Sequence, residues 1–123
     1  MSYLPENTRL GKLEYLDIYN QHDDRPCLFS CRNQDGQNYL AIWVDETGDG
    51  NRWLYTAIST TRLNWLKEGI VDIRSAFTEA TSGFVYDVTT DKDGKSDAKI
   101  LSCLALTDDL LPVLGEFLKY NQK

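Results

Sequence analysis

Tyr39-Leu40-Ala41-Ile42-Trp43-Val44, the turn-forming run Asp45-Glu46-Thr47-Gly48-Asp49-Gly50-Asn51, and Trp53-Leu54-Tyr55-Thr56-Ala57-Ile58 together decide the fold. Both flanking runs are rich in β-branched and aromatic residues, and the run between them is rich in turn formers, so the stretch reads as a β-hairpin. Successive strand side chains point to opposite faces. Leu40, Ile42, Val44, Leu54, Thr56 and Ile58 therefore share one face, and Tyr39, Ala41, Trp43, Trp53, Tyr55 and Ala57 the other. One side of this hairpin is aliphatic and the other aromatic.

Working outward, Leu13–Tyr19 alternates in the same way, with Leu16 and Ile18 expected on the aliphatic side and Tyr15 and Tyr19 on the aromatic side. After the polar turn 20–26, Cys27–Arg32 reads as a second strand, and Asn33-Gln34-Asp35-Gly36 supplies an Asp-Gly hairpin signal before a third strand, Gln37–Val44. Trp53–Ser59 is the fourth. The period then changes. Ser59 or Thr60 can cap a short helix carrying Leu63, Trp65 and Leu66, with Gly69 suited to the position just past its end. Asp72 can cap a second, Ile73–Glu79, where Ile73 and Phe77 share a face. Gly83 breaks it. Phe84–Thr90 and Ala98–Leu106 suggest a second hairpin. Thr107-Asp108-Asp109 opens a terminal helix over 107–123, striped by Leu110, Leu114, Phe117 and Leu118. The expected order is ββββααββα, a single α+β domain over 1–123 built on a largely antiparallel β-meander with short helices packed on one face.

Composition narrows the classes of function. The chain has 123 residues, with 13 Lys+Arg against 19 Asp+Glu for a net charge of −6. That length suits one domain able to bury roughly two thirds of its unfolded surface without a metal or disulfide staple. No apolar run approaches the roughly 20 residues that span a bilayer, and the first residues lack the basic and apolar segments of a secretory signal. The acidic balance disfavours nucleic acid, whose binding rests on neutralised phosphates. Three cysteines, an odd number, fit a reducing cytoplasm better than a disulfide framework. Within one strand Cys27 and Cys31 would stand about 13 Å apart at 3.3 Å per residue, too far for a disulfide or a shared metal ion.

Motifs for chemistry are sparse. His22 is the only histidine and falls in a turn beside Asp23 and Asp24, which suits a solvated side chain better than a catalytic base. No nucleophile elbow, phosphate-binding loop, dinucleotide fingerprint or zinc spacing occurs. Asp45-Glu46-Thr47-Gly48-Asp49-Gly50 echoes the opening of an EF-hand, but position 12 is Thr56 in place of glutamate, and strands flank the loop. Glu14 with Asp17, or Asp45 with Asp87, could be imagined as a carboxylate pair, yet no spacing brings either together. The expectation is a protein without catalytic residues, cofactor or metal.

The tract Pro26-Cys27-Leu28-Phe29-Ser30-Cys31-Arg32-Asn33, followed by Tyr39–Asp45 and Trp53-Leu54-Tyr55, resembles a small bacterial domain family of unknown function over roughly Leu10 to Val88. The resemblance implies a bacterial cytoplasmic α+β module and carries no catalytic residues. In general character the chain is also similar to immunity and antitoxin proteins, which neutralise a partner through an acidic, aromatic-studded surface.

The aromatic face has two fates. Covered by the terminal helix or second hairpin it is a second core; left open it is a recognition surface, since Tyr and Trp are enriched at interfaces. An open face predicts a non-catalytic protein-interaction module with Tyr15, Tyr39, Trp43, Trp53 and Tyr55 as anchors. Asp45, Glu46 and Asp49 at the rim would steer a basic protein, such as a toxin or defence effector; a homodimer through the same face is a variant. The alternative is a nucleotide- or nucleic-acid-binding domain, possibly enzymatic, stacking bases on those rings beside Arg32 and Arg52.

Overall fold

In the computed structural model, which describes residues 4, 10–22, 25–47, 50–80, 83–91, 95–103 and 106, the chain folds as an α+β sheet structure. β1 (Leu13–His22), β2 (Arg25–Asn33), β3 (Asn38–Thr47) and β4 (Gly50–Ala57) are followed by α1 (Thr60–Lys67), α2 (Ile73–Thr78), β5 (Phe84–Asp91) and β6 (Ser96–Ser102). The six strands pair antiparallel in chain order. The element order matches the expected one as far as β6; the expected terminal helix, 107–123, lies outside the described residues.

Local chemistry explains the boundaries. Asn33 closes the β2–β3 turn by accepting the amides of Asp35 and Gln37 on its side-chain oxygen, at 3.0 and 2.9 Å, while Gly36 takes φ +87°, where a β-carbon is disfavoured. Ser59 caps α1 through Arg62 N at 3.1 Å. Asp72 caps α2 through Ser75 N at 2.9 Å, each cap contributing about 1 kcal/mol. α1 ends in a Schellman motif. Gly69 (φ +76°) donates to the Leu66 carbonyl at 3.2 Å, and Ile70 to that of Trp65 at 2.9 Å. β6 begins two residues before the expected Ala98 and ends at Ser102; its early start follows from Asp91 and Lys95, which close the hairpin by backbone and side-chain bonds both 2.9 Å long.

The aliphatic face is the main core. Leu28, Leu40, Ile42 and Leu54 from the sheet pack with Leu63 and Leu66 of α1 and Ile73, Ala76 and Phe77 of α2, so the helices cover the aliphatic side. Asn38, 4% exposed, fastens the sheet to α1. It donates to Thr60 Oγ1 at 3.1 Å and accepts from Arg32 Nε at 2.9 Å, and its carbonyl receives Ile58 N at 3.0 Å.

Strict alternation fails in two places. In β1 the register slips between Tyr15 and Asp17 and again between Ile18 and Asn20. These bulges turn Asp17 toward α1, where it meets Lys67 Nζ at 3.2 Å. They also carry Tyr19 to the aliphatic cluster, its hydroxyl 3.0 Å from Ser30 Oγ, and leave Ile18, expected in the core, 45% exposed. The expected division of Leu16 and Ile18 from Tyr15 and Tyr19 is therefore corrected: an inserted residue inverts every side chain beyond it. In β3 a bulge between Trp43 and Asp45 sets Asp45 opposite Arg52.

Gly50 opens β4 against the backbone of β5. A β-carbon there would collide with the Thr90 carbonyl oxygen and lie 2.7 Å from Asp91 Cα. Neither obstacle is a movable side-chain tip. Gly50→Ala should cost about 1–3 kcal/mol, the usual range for overpacking, and lower the melting temperature by several degrees. Gly36→Ala meets no atom within 4 Å and tests conformational strain alone. An unchanged melting curve for Gly50→Ala would contradict this packing.

Candidate interaction surface

The eight residues expected to form an open surface part company in the structure. Trp53 and Tyr55 are wholly buried and Tyr39 is 6% exposed. Tyr15 and Trp43 are half-buried, Asp45 and Glu46 are exposed, and Asp49 lies outside the described residues. The open aromatic face is thus corrected to a second core, containing Leu10, Phe29, Cys31, Tyr39, Ala41, Trp53, Tyr55, Val88 and Ala98.

The reason is physical. Large rings on a twisted sheet cover one another when they meet edge to face, and that geometry suits the ring quadrupole. Tyr15 meets Phe29 at 5.2 Å between centroids, Phe29 meets Tyr55 at 5.8 Å, and Tyr39 meets Tyr86 at 6.3 Å, all T-shaped. The chain preceding β1 adds Leu4 and Leu10 to this side; the Leu10 carbonyl is held by Asn33 Nδ2 at 3.0 Å. β5 and β6 contribute Val88 and Ala98, which the composition of the first hairpin could not foretell.

The polar tips are turned inward as well. Trp53 Nε1 donates to the Pro26 carbonyl at 3.0 Å. Trp43 Nε1 donates to Asn51 Oδ1 at 3.0 Å, and Arg25 NH1 reaches the same oxygen at 3.2 Å while its guanidinium lies 4.1 Å over the Trp43 ring. One face of Trp43 is therefore already occupied by a cation. Buried to this degree, Tyr39, Trp53 and Tyr55 offer no open ring face either to a base or to a protein partner.

Arg52 and Asp87 form a two-pronged pair, Nε to Oδ1 at 2.8 Å and NH2 to Oδ2 at 2.9 Å. Arg52 thus locks β4 to β5, with Asp45 across the strand from it. The Asp45 carboxylate accepts the Glu46 amide at 2.8 Å. Among the described residues no three His, Cys, Asp or Glu side chains converge as metal ligands. Cys27 and Cys31 both lie in β2, and all three thiols are free.

Large apolar side chains are exposed elsewhere. Trp65 is 43% exposed and Ile70 63%, while Leu63 and Leu66 of the same helix are buried. Trp65 and Ile70 are the two positions that a Schellman motif brings together, and the α1–α2 knuckle displays both. Beside them runs a cleft of about 300 Å³ lined by Arg62, Ile70, Val71, Asp72, Ser75 and Glu79, and Arg62 bridges it by donating to the Glu79 carbonyl at 2.8 Å. The signal was present in the sequence: an apolar residue on each side of the expected C′ glycine.

Burial also sets an alkaline limit. Desolvation pushes the Cys31 thiol up to about 12 from an ordinary 9.0 and lifts the Tyr55 phenol well above its usual 10.0. In the unfolded chain both ionise first, so stability is full below pH 9 and falls as pH rises beyond it. The slope per group is about 1.4 kcal/mol per pH unit. Thermal melts should show a decline starting near pH 9, and Cys31→Ala should postpone it to about pH 10, where Tyr55 takes over. A melting temperature flat to pH 11 would contradict the buried placement of both groups.

Comparison with known proteins agrees with the resemblance read from β2 to β4. No curated protein and no solved structure matches the chain. The model of a family of unknown function, DUF6575, matches residues 1–123. The chain is a member of that family, its match running through both cores and the helices.

Proposed function

We propose that the protein is a non-catalytic interaction module that binds another protein through the α1–α2 knuckle. The observation that carries this reading is the exposure of Trp65 and Ile70, 43% and 63%, at the two positions whose backbones the turn after α1 joins. Tryptophan is the residue type most enriched among binding hot spots. Here it stands on a base fixed by the Ser59 and Asp72 caps and by Leu63 and Leu66 beneath. A pre-shaped surface of this kind loses little entropy on docking.

Net charge defines the partner. At −6 the chain favours approach by a basic protein, chiefly through faster association. Such a partner is what an immunity- or antitoxin-type protein meets in the bacterial cytoplasm, and three free thiols suit that reducing compartment. The nucleotide-binding alternative is not retained, since base stacking needs the open rings that the second core consumes.

The test compares immobilised wild-type chain with Trp65→Ala/Ile70→Ser in the same lysate, followed by titration of whatever protein the wild type retains. Loss of a hot spot of about 2 kcal/mol should weaken binding by roughly 30-fold, with the variant still melting cooperatively, because neither side chain belongs to the buried core clusters. A partner held equally by both chains, or none held by the wild type, overturns the reading.

A further inference from the structure

We infer that β6 is a dimerisation edge, pairing antiparallel with β6 of a second copy so that the two sheets become one. This surface is separate from the knuckle, and neither reading rests on the other. Among the described residues, β1 and β6 are the sheet's two terminal strands, and they differ in kind. β1 is broken by register slips, the usual means of blunting an edge against further pairing. β6 runs unbroken from Ser96 to Ser102 against β5. It contains no proline, and Asp97, Lys99 and Ile100 are exposed along it. Ile100 in particular is 54% exposed.

Symmetry and charge then select one register. A two-fold axis perpendicular to a continuous antiparallel sheet must pass through a residue, because directly opposed side chains share a face. An axis at Lys99 would set Lys99 against its own copy, and one at Asp97 would oppose two carboxylates; like charges directly opposite are destabilising. An axis at Ile100 leaves Lys99 facing the second copy's Leu101. With the axis at Ala98, Asp97 meets Lys99 of the second copy and Lys99 meets its Asp97. The match is reciprocal, with Ser96 and Ile100 opposed at either end. A lysine on an edge normally discourages pairing; here the carboxylate two positions earlier supplies its counter-charge. The occupant that fits this edge is the chain itself.

Sedimentation equilibrium over a concentration series tests the register directly. Wild type should reach twice the 14.1 kDa chain mass. Asp97→Lys, which places two lysines opposite each other on both sides of the axis, should weaken association by roughly tenfold or more. Lys99→Asp should do the same with carboxylates, and serves if the first variant folds poorly. The double exchange Asp97→Lys/Lys99→Asp should restore the dimer. A wild type that stays monomeric at every concentration overturns the proposal, as does a dimer that either single exchange leaves intact. A double exchange no tighter than the singles rejects this register.

Discussion

β3 and β4 sit in the middle of the sheet and lose water from both faces at once. On one side Leu40, Ile42 and Leu54 meet the helices; on the other Tyr39, Ala41, Trp53 and Tyr55 lie in a second cluster. Burial on both sides makes a register slip or an unpaired polar group costly, and the slip in β3 falls beyond Trp43, where Asp45 and Glu46 are exposed. That constraint explains several features together: the Trp53 indole bonded to the Pro26 carbonyl, Gly50 where β5 passes too close for a side chain, and the Arg52–Asp87 fork that holds β4 against β5.

The second core also determines where the molecule can work. Rings that would have made the natural docking face are spent on cohesion, which is why the contacts proposed above lie on the α1–α2 knuckle and along β6 instead. In the knuckle, the Schellman turn that ends α1 also places Trp65 and Ile70 in view. A single glycine, Gly69 at φ +76°, is thus both the stop signal of a helix and the hinge of the proposed contact.

Much of this was legible in the residues. The alternation from Tyr39 to Ile58 states that two faces exist and which residues share each, and Ser59, Gly69 and Asp72 mark the helix ends by the side-chain and backbone chemistry of caps. What the alternation cannot state is which face is buried, because that depends on residues outside the hairpin such as Leu10, Val88 and Ala98. Nor can it announce a bulge. Tyr19 and Asp45 each sit beyond an inserted residue and so face the side opposite to their parity. Trp65 shows a third limit: on a helix of two turns, one residue's rotation separates the buried stripe of Leu63 and Leu66 from solvent.

The central claim, that the aromatic face is interior, is tested most directly by tryptophan emission. In a Trp65→Phe variant the remaining indoles are Trp53, wholly buried, and Trp43, half-buried beneath Arg25. The account predicts blue-shifted emission from this variant, poorly quenched by iodide, with most of the wild-type quenching removed along with Trp65. Red-shifted emission that iodide quenches as strongly as in the unfolded chain would contradict it.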